Sequence, residues 1–376
     1  MTIPLISWKE KGELRSARWR SESGAPAPTR IVIADDRMTA DRAYHFACEG
    51  TAMLFRGDFQ NARQLLQAMA RRVDHLKGKP LRDKKPPTSP SESFHLYRMA
   101  RAQRARILGM LLLPFEADHS VPLPRAPDVR EACTEVWGQG DERYVASLRE
   151  LLGLIGAHEW RKKGIEVPAL GARIHPHYGV WSPVRGEYLD LVAEAPLPTS
   201  PGVAFDIGTG TGVLAALLAR RGVAHIVATD CDPRALACAR ENLARLGLSG
   251  QVKVVQADLY PEGRAALVVC NPPWVPARPS SPLEAAIYDP ESRMLRGFLS
   301  GLAAHLAPGG EGWLVLSDFA EHLGLRTRAE LLAAIETAGL KVLARTERKA
   351  QPPRGADLLH AARVAEVISL WRLGVS

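Results

Sequence analysis

The sequence predicts an α/β fold in the C-terminal half, built on a parallel sheet and preceded by a mostly helical N-terminal domain. Three observations support this prediction. Short apolar runs alternate with helical segments after residue 199. Gly208, Gly210 and Gly212 follow the first of these runs and open a helix. Acidic or amide residues stand at the ends of the next runs. The chain has 376 residues, of which 46% are hydrophobic, so two domains with sizeable cores are possible.

Residues 1–164 are predicted to form the helical domain, which we assign to substrate recognition. Apolar residues at three- and four-residue spacing favour helices near 39–55, 59–76, 91–113, 127–137 and 142–162. Residues 56–106 hold 13 basic and 4 acidic side chains, and a basic, proline-rich loop at 77–90 lies among them. This patch is either an RNA-binding surface or a solvated helical face.

Two further segments complete the predicted organisation. Residues 165–198 are expected to be a strand-rich connecting segment, because β-branched and aromatic residues lie there between turn formers. Residues 199–376 then alternate between the two kinds of element. We expect strands near 203–207, 225–229, 252–256, 266–270 and 312–317, and helices near 212–221, 233–246, 292–306 and 327–338. A terminal antiparallel pair is expected from 340–347 and 362–372. The alternation predicts a parallel sheet covered on both faces.

The glycine turn (residues 208–212) is expected to hold a cofactor. Glycines let backbone N–H groups approach a ligand closely. Their spacing differs from the dinucleotide fingerprint, and Asp206 precedes them, where a carboxylate would repel a pyrophosphate. Asp206 suits the cationic amino-acid portion of S-adenosylmethionine instead. Asp230 and Asp258 follow the second and third strands, and they suit the ribose hydroxyls and the adenine amino group.

The NPPW segment (residues 271–274) follows the fourth strand, at the edge where parallel sheets bind ligands. An amide or exocyclic amino nitrogen is a weak nucleophile because its lone pair is delocalised. The side-chain carbonyl of Asn271 and the backbone carbonyl of Pro272 can accept its two hydrogens, which aims the lone pair at a sulfonium methyl. Pro273 adds no competing N–H, and Trp274 offers a flat face for stacking.

Residues 203–274 resemble class I S-adenosylmethionine-dependent methyltransferases. More narrowly, Asn-Pro-Pro-Trp-Val-Pro looks like the motif of the release-factor glutamine N5-methyltransferases, which have Tyr in place of Trp274. The resemblance covers about residues 178–376 and implies a Rossmann-like seven-stranded methyltransferase sheet with an antiparallel last strand. The predicted catalytic residues are Asn271, Pro272, Pro273 and Trp274. The predicted cofactor-binding residues are Asp206, Gly208, Thr209, Gly210, Gly212, Asp230, Cys231, Asp258, Leu259 and Asn271.

The chain departs from that family at two places that bear on the substrate. The family's N-terminal helical domain is considerably shorter than the one expected here. The loop after Trp274, residues 275–290, lacks the family's usual glycine-bearing pattern. Related enzymes with the same segment methylate adenine N6 or guanine N2 in ribosomal or transfer RNA, so the resemblance leaves both a protein and an RNA substrate open.

The sequence thus predicts an S-adenosylmethionine-dependent N-methyltransferase that acts on a planar NH2 group. The preferred acceptor is a glutamine side chain of a release-factor-like protein, and the alternative is an RNA base. A further alternative is a non-catalytic RNA-binding protein with a relic cofactor domain. We expect a cytoplasmic protein with no membrane partner, because neither a signal peptide nor a bilayer-length apolar run is present. Five cysteines without metal-ligand spacing predict no metal site.

Overall fold

The computed structural model describes residues 4–77, 87–199, 202–279, 284, 286–351 and 358–376. The chain divides into two compact units, Met1–Pro87 with His95–Glu159, and Thr88–Phe94 with Trp160–Ser376. The basic loop at 77–90 and the loop at 275–290 lie partly outside the described residues. So does a run of turn formers at 199–202, and residues 352–355, which hold two prolines between the two terminal strands, lie wholly outside them.

A six-stranded mixed sheet organises the N-terminal unit. Its strands are β1 (Leu5–Glu10), β2 (Glu13–Trp19), β3 (Arg30–Ala34), β4 (Thr51–Phe55), β5 (Leu111–Phe115) and β6 (Tyr144–Ser147). They lie in the order β1-β2-β6-β5-β4-β3. The helices of this half of the chain are α1 (Ala40–Cys48), α2 (Phe59–Lys77), α3 (Pro90–Leu108), α4 (Arg130–Trp137) and α5 (Leu148–Lys163).

The expectation of a mostly helical N-terminal domain therefore needs correction. Helices do contain more residues than strands, but the sheet was missed. β4 and β5 are buried along their whole length, so they lack the alternation that marks a half-exposed strand. Each also begins shortly after a helix ends. The helical patterns predicted over 39–55 and 91–113 consequently ran through them.

The connecting segment is only partly as predicted. β7 (Ile165–Val167) and β8 (Ala172–Ile174) form the expected antiparallel hairpin. The second half of the connecting segment contains a helix, α6 (Glu187–Glu194), where a strand-rich segment was expected. This helix has only eight residues and buries five of them, so no apolar stripe stands out in the sequence.

The C-terminal unit contains the predicted seven-stranded sheet. Its strands are β9 (Val203–Ile207), β10 (His225–Asp230), β11 (Val252–Gln256), β12 (Ala265–Cys270), β13 (Leu306–Ser317), β14 (Leu340–Lys349) and β15 (Val367–Val375). Their order is β11-β10-β9-β12-β13-β15-β14, and only β15 runs against the others. The chain leaves β9 towards β10 on one side and returns to β12 on the other. That reversal marks the crevice where open α/β sheets bind ligands.

Helices cover both faces of this sheet, as the alternation predicted. They are α7 (Val213–Arg220), α8 (Pro233–Arg245), α9 (Arg293–His305), α10 (Phe319–His322), α11 (Arg328–Thr337) and α12 (His360–Ala365). Ala204 of β9 packs into one core and Phe205 into the other, because successive strand residues point to opposite faces. The predicted caps are present: Asp232 caps α8, and Thr327 with Glu330 forms a capping box on α11. Among the described residues, no helix is long and apolar enough to span a membrane.

Candidate active site

The glycine turn lies at the carboxyl end of β9, in the centre of the sheet. Its three glycines all have left-handed backbone angles, with φ of 71°, 55° and 80° at Gly208, Gly210 and Gly212. A Cβ on Gly208 would stand 2.4 Å from the Met294 Cε, and a Cβ on Gly212 would stand 3.2 Å from the Ala239 Cα. A Cβ on Gly210 would meet nothing within 4 Å. The turn is therefore packed at both ends and open in the middle.

Asp206 lies directly beneath this turn and is fully buried. Its Oδ2 accepts hydrogen bonds from the Thr209 hydroxyl at 2.6 Å and the Ala215 N–H at 3.1 Å. Its Oδ1 is buried and has no hydrogen-bond partner among the described residues. Burial raises the pKa of this carboxyl from 3.8 to about 6, against the lowering effect of those two donors. One oxygen thus holds the turn, while the other remains available to a cation.

Asp230 ends β10 beside the turn, as the sequence predicted. Its Oδ2 accepts the Gly210 N–H at 3.0 Å, and its Oδ1 accepts the Asp232 N–H at 2.9 Å. Burial raises the pKa of Asp230, although both N–H donors oppose the rise. Each carboxylate oxygen has more than one lone pair, so both can still accept from a diol. Cys231 follows directly and is exposed.

Asp258 follows β11, next along the same edge, but it is an exposed residue whose Oδ2 accepts from Arg293 of α9 at 2.7 Å. The predicted contact of Asp258 with an adenine amino group would therefore compete with this ion pair. Leu259 adopts a left-handed φ of 79°, and its carbonyl accepts from the Thr229 hydroxyl. Asp258 and Leu259 thus border the turn region rather than join the contacts between Asp206, the glycines and Asp230.

The NPPW segment begins where β12 ends, next to β9. Cys270 pairs with Ile207 across these two strands, so Asn271 and Gly208 follow paired residues. The Trp274 Nε1–H donates to the Asn271 Oδ1 at 2.8 Å. Indole nitrogen is only a donor, so this bond fixes which end of the Asn271 amide carries the oxygen. The oxygen retains a second lone pair. The sequence did not predict this bond.

The loop after the NPPW segment is closed at its base. The Asp289 N–H donates to the Val275 carbonyl at 2.9 Å. The buried Asp289 carboxylate accepts the N–H groups of Met294 and Leu295 at 3.0 and 3.1 Å, which anchors it to the start of α9. Met294 in turn covers Gly208. This chain of contacts connects the glycine turn to the residues that follow Trp274. Asp289-Pro290 is a helix-start pair in the sequence, and it could have indicated this anchor.

A second buried side chain that sequence reasoning missed braces the glycine turn from behind. Asn242 of α8 donates to the Thr211 carbonyl at 3.0 Å, and its Oδ1 accepts the His175 N–H at 2.8 Å. It is 1% exposed. An asparagine in the middle of a helix carries no distinctive pattern, so nothing in the sequence marked it. Within the described ranges, no group of three or more His, Cys, Asp or Glu side chains is arranged to hold a metal ion.

The glycine turn has one acid below it and another beside it, and an asparagine follows the adjacent strand. In a sheet with this strand order, these features define a class I methyltransferase domain. Residues 190–338 match the sequence profile of the methyltransferase small domain, so this part of the chain is similar to that family. S-adenosylmethionine is the cofactor of the class. The predicted class, sheet and cofactor are thereby confirmed, whereas the roles of individual site residues stay predictions.

Two curated relatives illustrate the similarity. The ribosomal protein L11 methyltransferase of Pelotomaculum thermopropionicum is 32% identical over 228 residues, which are 59% of this chain and 65% of that protein. The release factor glutamine methyltransferase of Cereibacter sphaeroides is 35% identical over 162 residues, 39% of this chain and 55% of that protein. The chain thus spans less than two thirds of either relative. A solved methyltransferase from Pyrococcus furiosus aligns with a TM-score of 0.39 and 19% identity, over 60% of this chain and 98% of that one.

Proposed function

We propose that this protein transfers a methyl group from S-adenosylmethionine to the nitrogen of a planar NH2 group, and that the acceptor is a glutamine side chain of a protein. One observation carries the proposal. Asn271 and the glycine turn follow paired residues of two adjacent strands, so the two sites share one edge of the sheet. An acceptor held by Asn271 would therefore lie beside a cofactor held by the turn.

Three features of the turn fit the cofactor. Asp206 Oδ1 is a buried carboxylate oxygen with no partner among the described residues, which a cationic amino group would satisfy. The space beside Gly210 is open, so a ligand can approach the backbone there. Asp230 retains acceptor capacity for two hydroxyls. When bound, S-adenosylmethionine supplies an electrophilic methyl group on a sulfonium.

Asn271 prepares the acceptor nitrogen for this electrophile. One lone pair of its Oδ1 is taken by the Trp274 N–H, and the other is left for one hydrogen of the acceptor NH2. The Pro272 carbonyl accepts the second hydrogen. Two acceptors in these positions favour a pyramidal nitrogen over the planar ground state, so they stabilise the transition state more than the substrate. Transfer of the methyl group would leave the donor sulfur as a neutral thioether, and the acceptor nitrogen loses one proton to solvent.

The choice of a protein acceptor follows from the relatives. Both relatives described above are named for protein substrates, a release factor and ribosomal protein L11. Part of the basic stretch that favours RNA is already neutralised within the N-terminal unit. Arg104 pairs with Asp74 at 2.8 Å, and Arg72 pairs with Asp41 at 2.6 Å. These pairs reduce the charge left for a phosphate backbone.

An RNA base, adenine N6 or guanine N2, remains the second candidate acceptor. It is supported by the remaining basic residues over 56–106, several of which lie outside the described part of the chain. A base would have to leave its stack to enter the site, which single-stranded RNA permits at low cost.

Labelling of a cell extract tests the proposal. The protein is incubated with extract and S-adenosylmethionine carrying a radioactive methyl group, and label is measured separately in protein, RNA and small molecules. We expect protein label that yields N5-methylglutamine, and no such label with Asn271→Ala. Asn271-dependent label in RNA would overturn the protein acceptor in favour of the base. Failure of the wild type to bind the cofactor in calorimetry would instead favour a relic domain.

A further inference from the structure

Arg326 is a buried arginine of the C-terminal unit whose guanidinium lacks a bonded partner at two of its nitrogens. It stands between α10 and α11, on the connection that follows the carboxyl end of β13. The residue is 8% exposed, and its Nε and Nη2 are enclosed and donate to no residue in the ranges that the structure describes. Burial lowers the pKa of Arg326, but a guanidinium is not deprotonated in proteins. Arg326 is therefore a buried charge that the fold leaves unsatisfied.

Three carboxylates lie near Arg326, but each is held by other groups. The carboxylates of Glu321, Asp289 and Glu330 all oppose the lowering of its pKa. Both oxygens of Glu321 accept from the Arg328 Nε–H, at 2.9 and 3.1 Å. Glu330 completes the capping box of α11, and Asp289 accepts the two N–H groups at the start of α9. These acids reduce the cost of burying the guanidinium, but none of them bonds to its Nε or Nη2.

The two enclosed nitrogens are the pair with which other arginines of this chain hold carboxylates. Nε–H and Nη2–H of a guanidinium point the same way, at a spacing that matches two carboxylate oxygens. Arg56 uses this pair on Glu10, with bonds of 3.0 and 2.8 Å. Arg372 uses it on Glu311, with bonds of 2.8 and 2.6 Å. A carboxylate is therefore the ligand that best fits Arg326.

Arg326 lies at the part of the sheet edge where the acceptor is expected. β13 runs parallel to β12, which Asn271 follows, so the connection after β13 stands at the same edge. Asp289, which acts on Arg326, donates its N–H to the carbonyl of Val275, the residue next to Trp274. The glycine turn follows β9, on the other side of β12. Arg326 thus lies on the acceptor side of Asn271 rather than on the cofactor side.

We propose that Arg326 is a positioning residue that binds a carboxylate of the acceptor protein. The proposal rests on the proposed function, in which Asn271 holds the accepting NH2 group. An unsatisfied buried charge is costly to the fold, which indicates a role in binding. Nε and Nη2 are bonded to no described residue, so they can turn towards a ligand without breaking a bond. The three neighbouring carboxylates would repel the successive phosphates of an RNA backbone more than a single carboxylate.

Side-chain NMR of the full-length, cofactor-free protein tests carboxylate binding without methyl transfer. The Nε–H signal of Arg326, assigned by its loss in Arg326→Lys, is followed while sodium acetate or sodium dimethyl phosphate is added at constant ionic strength. We expect a saturable shift with acetate and a smaller one with dimethyl phosphate. Arg328 is the matched control, because Glu321 already holds its Nε–H, and its signal should not move. No saturable shift with acetate would overturn the proposal, and a larger shift with dimethyl phosphate would make RNA the ligand.

Peptide binding and urea unfolding separate a ligand-binding role from a structural one. A short fluorescein-labelled peptide with blocked ends carries one glutamine between glutamates, and its control has lysines in their place. We expect the acidic peptide to bind more tightly, and Arg326→Met to weaken its binding about tenfold or more. Arg326→Lys keeps the charge without the fork, so it should retain part of the affinity. Arg326→Met should not lower the urea midpoint, because it removes an unsatisfied buried charge. Unchanged peptide affinity in Arg326→Met, or a lowered midpoint, would overturn the proposal.

These measurements distinguish failure of the Arg326 proposal from failure of the proposed function. Acetate and the acidic peptide could bind at Arg326 while no methyl label reaches protein, and the proposed function alone would then fail. With the acidic peptide as acceptor, we expect Arg326→Met to raise KM and to leave kcat close to that of the wild type. Methyl transfer to this peptide with an equal KM in both proteins would leave the proposed function standing and overturn the role of Arg326.

Discussion

Asp206→Asn is the change that most directly tests how the glycine turn is built. The folded protein holds this carboxyl with a pKa of about 6, against an ordinary value of 3.8. The folded state therefore binds the proton more tightly than the unfolded chain. It follows that Asp206 contributes stability below about pH 3.8, and that this contribution is lost as the pH rises through about 6. The rise from 3.8 to about 6 corresponds to about 3 kcal/mol at roughly 1.4 kcal/mol for each pKa unit.

Urea unfolding of the cofactor-free protein measures this effect. The free energy of unfolding is determined for the wild type and Asp206→Asn at roughly pH 4 and pH 8. We expect the wild type to lose up to about 3 kcal/mol relative to the variant between the two values. Thr209→Val removes a donor that lowers the pKa of Asp206, so it should move the midpoint of this loss to a higher pH. A stability difference that does not change with pH would refute the reasoning.

The same carboxylate should link cofactor binding to pH. A cationic ligand group beside Asp206 favours its ionised form, so the affinity for S-adenosylmethionine should fall as the pH drops through about 6. Calorimetry in two buffers of different ionisation enthalpy would detect the proton released on binding. The Asp206→Asn variant should bind S-adenosylmethionine far more weakly and release no proton on binding. Unchanged affinity in that variant would place the cofactor's cation elsewhere.

Three further changes are expected to separate the parts of the site. Trp274→Phe removes the donor to Asn271, so kcat should fall up to about tenfold while the affinity for the cofactor stays unchanged. An unchanged kcat would mean that the indole N–H does not position Asn271. Asp230→Ala should weaken cofactor binding about ten- to a hundredfold in calorimetry, and equal affinity would remove Asp230 from the cofactor site. Gly208→Ala should destabilise the fold by at least about 1–2 kcal/mol, because φ is left-handed there and the new Cβ would meet Met294. Gly210→Ala is the control, since its Cβ would add no steric contact. Equal losses of unfolding free energy in the two variants would contradict this prediction.

Most of the C-terminal unit was predictable because its signals are local and repeated, although the strand expected from residue 362 begins only at Val367, after α12. The strand over 203–207 was found at its correct bounds, since an apolar run ends there in an acid and three spaced glycines. The helix over 233–245 was found within one residue, since Asp232 and Pro233 mark its start. Each of these features lies within a few residues of the element that it defines, so no knowledge of distant contacts is needed.

What could not be predicted depends on contacts between distant residues or on side-chain rotamers. Strand β4 has no alternation because tertiary packing buries both of its faces. Arg293 approaches Asp258 from 35 positions along the chain, which no local pattern shows. Trp274 was expected to supply a stacking face, and nothing in the motif shows that its N–H reaches Asn271. The chemistry of the site could be inferred from the sequence, whereas the contacts that orient its side chains could not.

Methyl transfer by Asn271→Ala, measured beside its cofactor affinity, tests most directly whether the cofactor and the acceptor nitrogen meet at the ends of β9 and β12. The two strands are adjacent, but within the described part of the chain the Asn271 side chain bonds to Trp274 and not to the glycine turn. The proposal therefore predicts loss of methyl transfer by at least about a hundredfold, with calorimetric affinity for S-adenosylmethionine close to that of the wild type. Retained methyl transfer, or loss of cofactor binding in its place, would contradict the account.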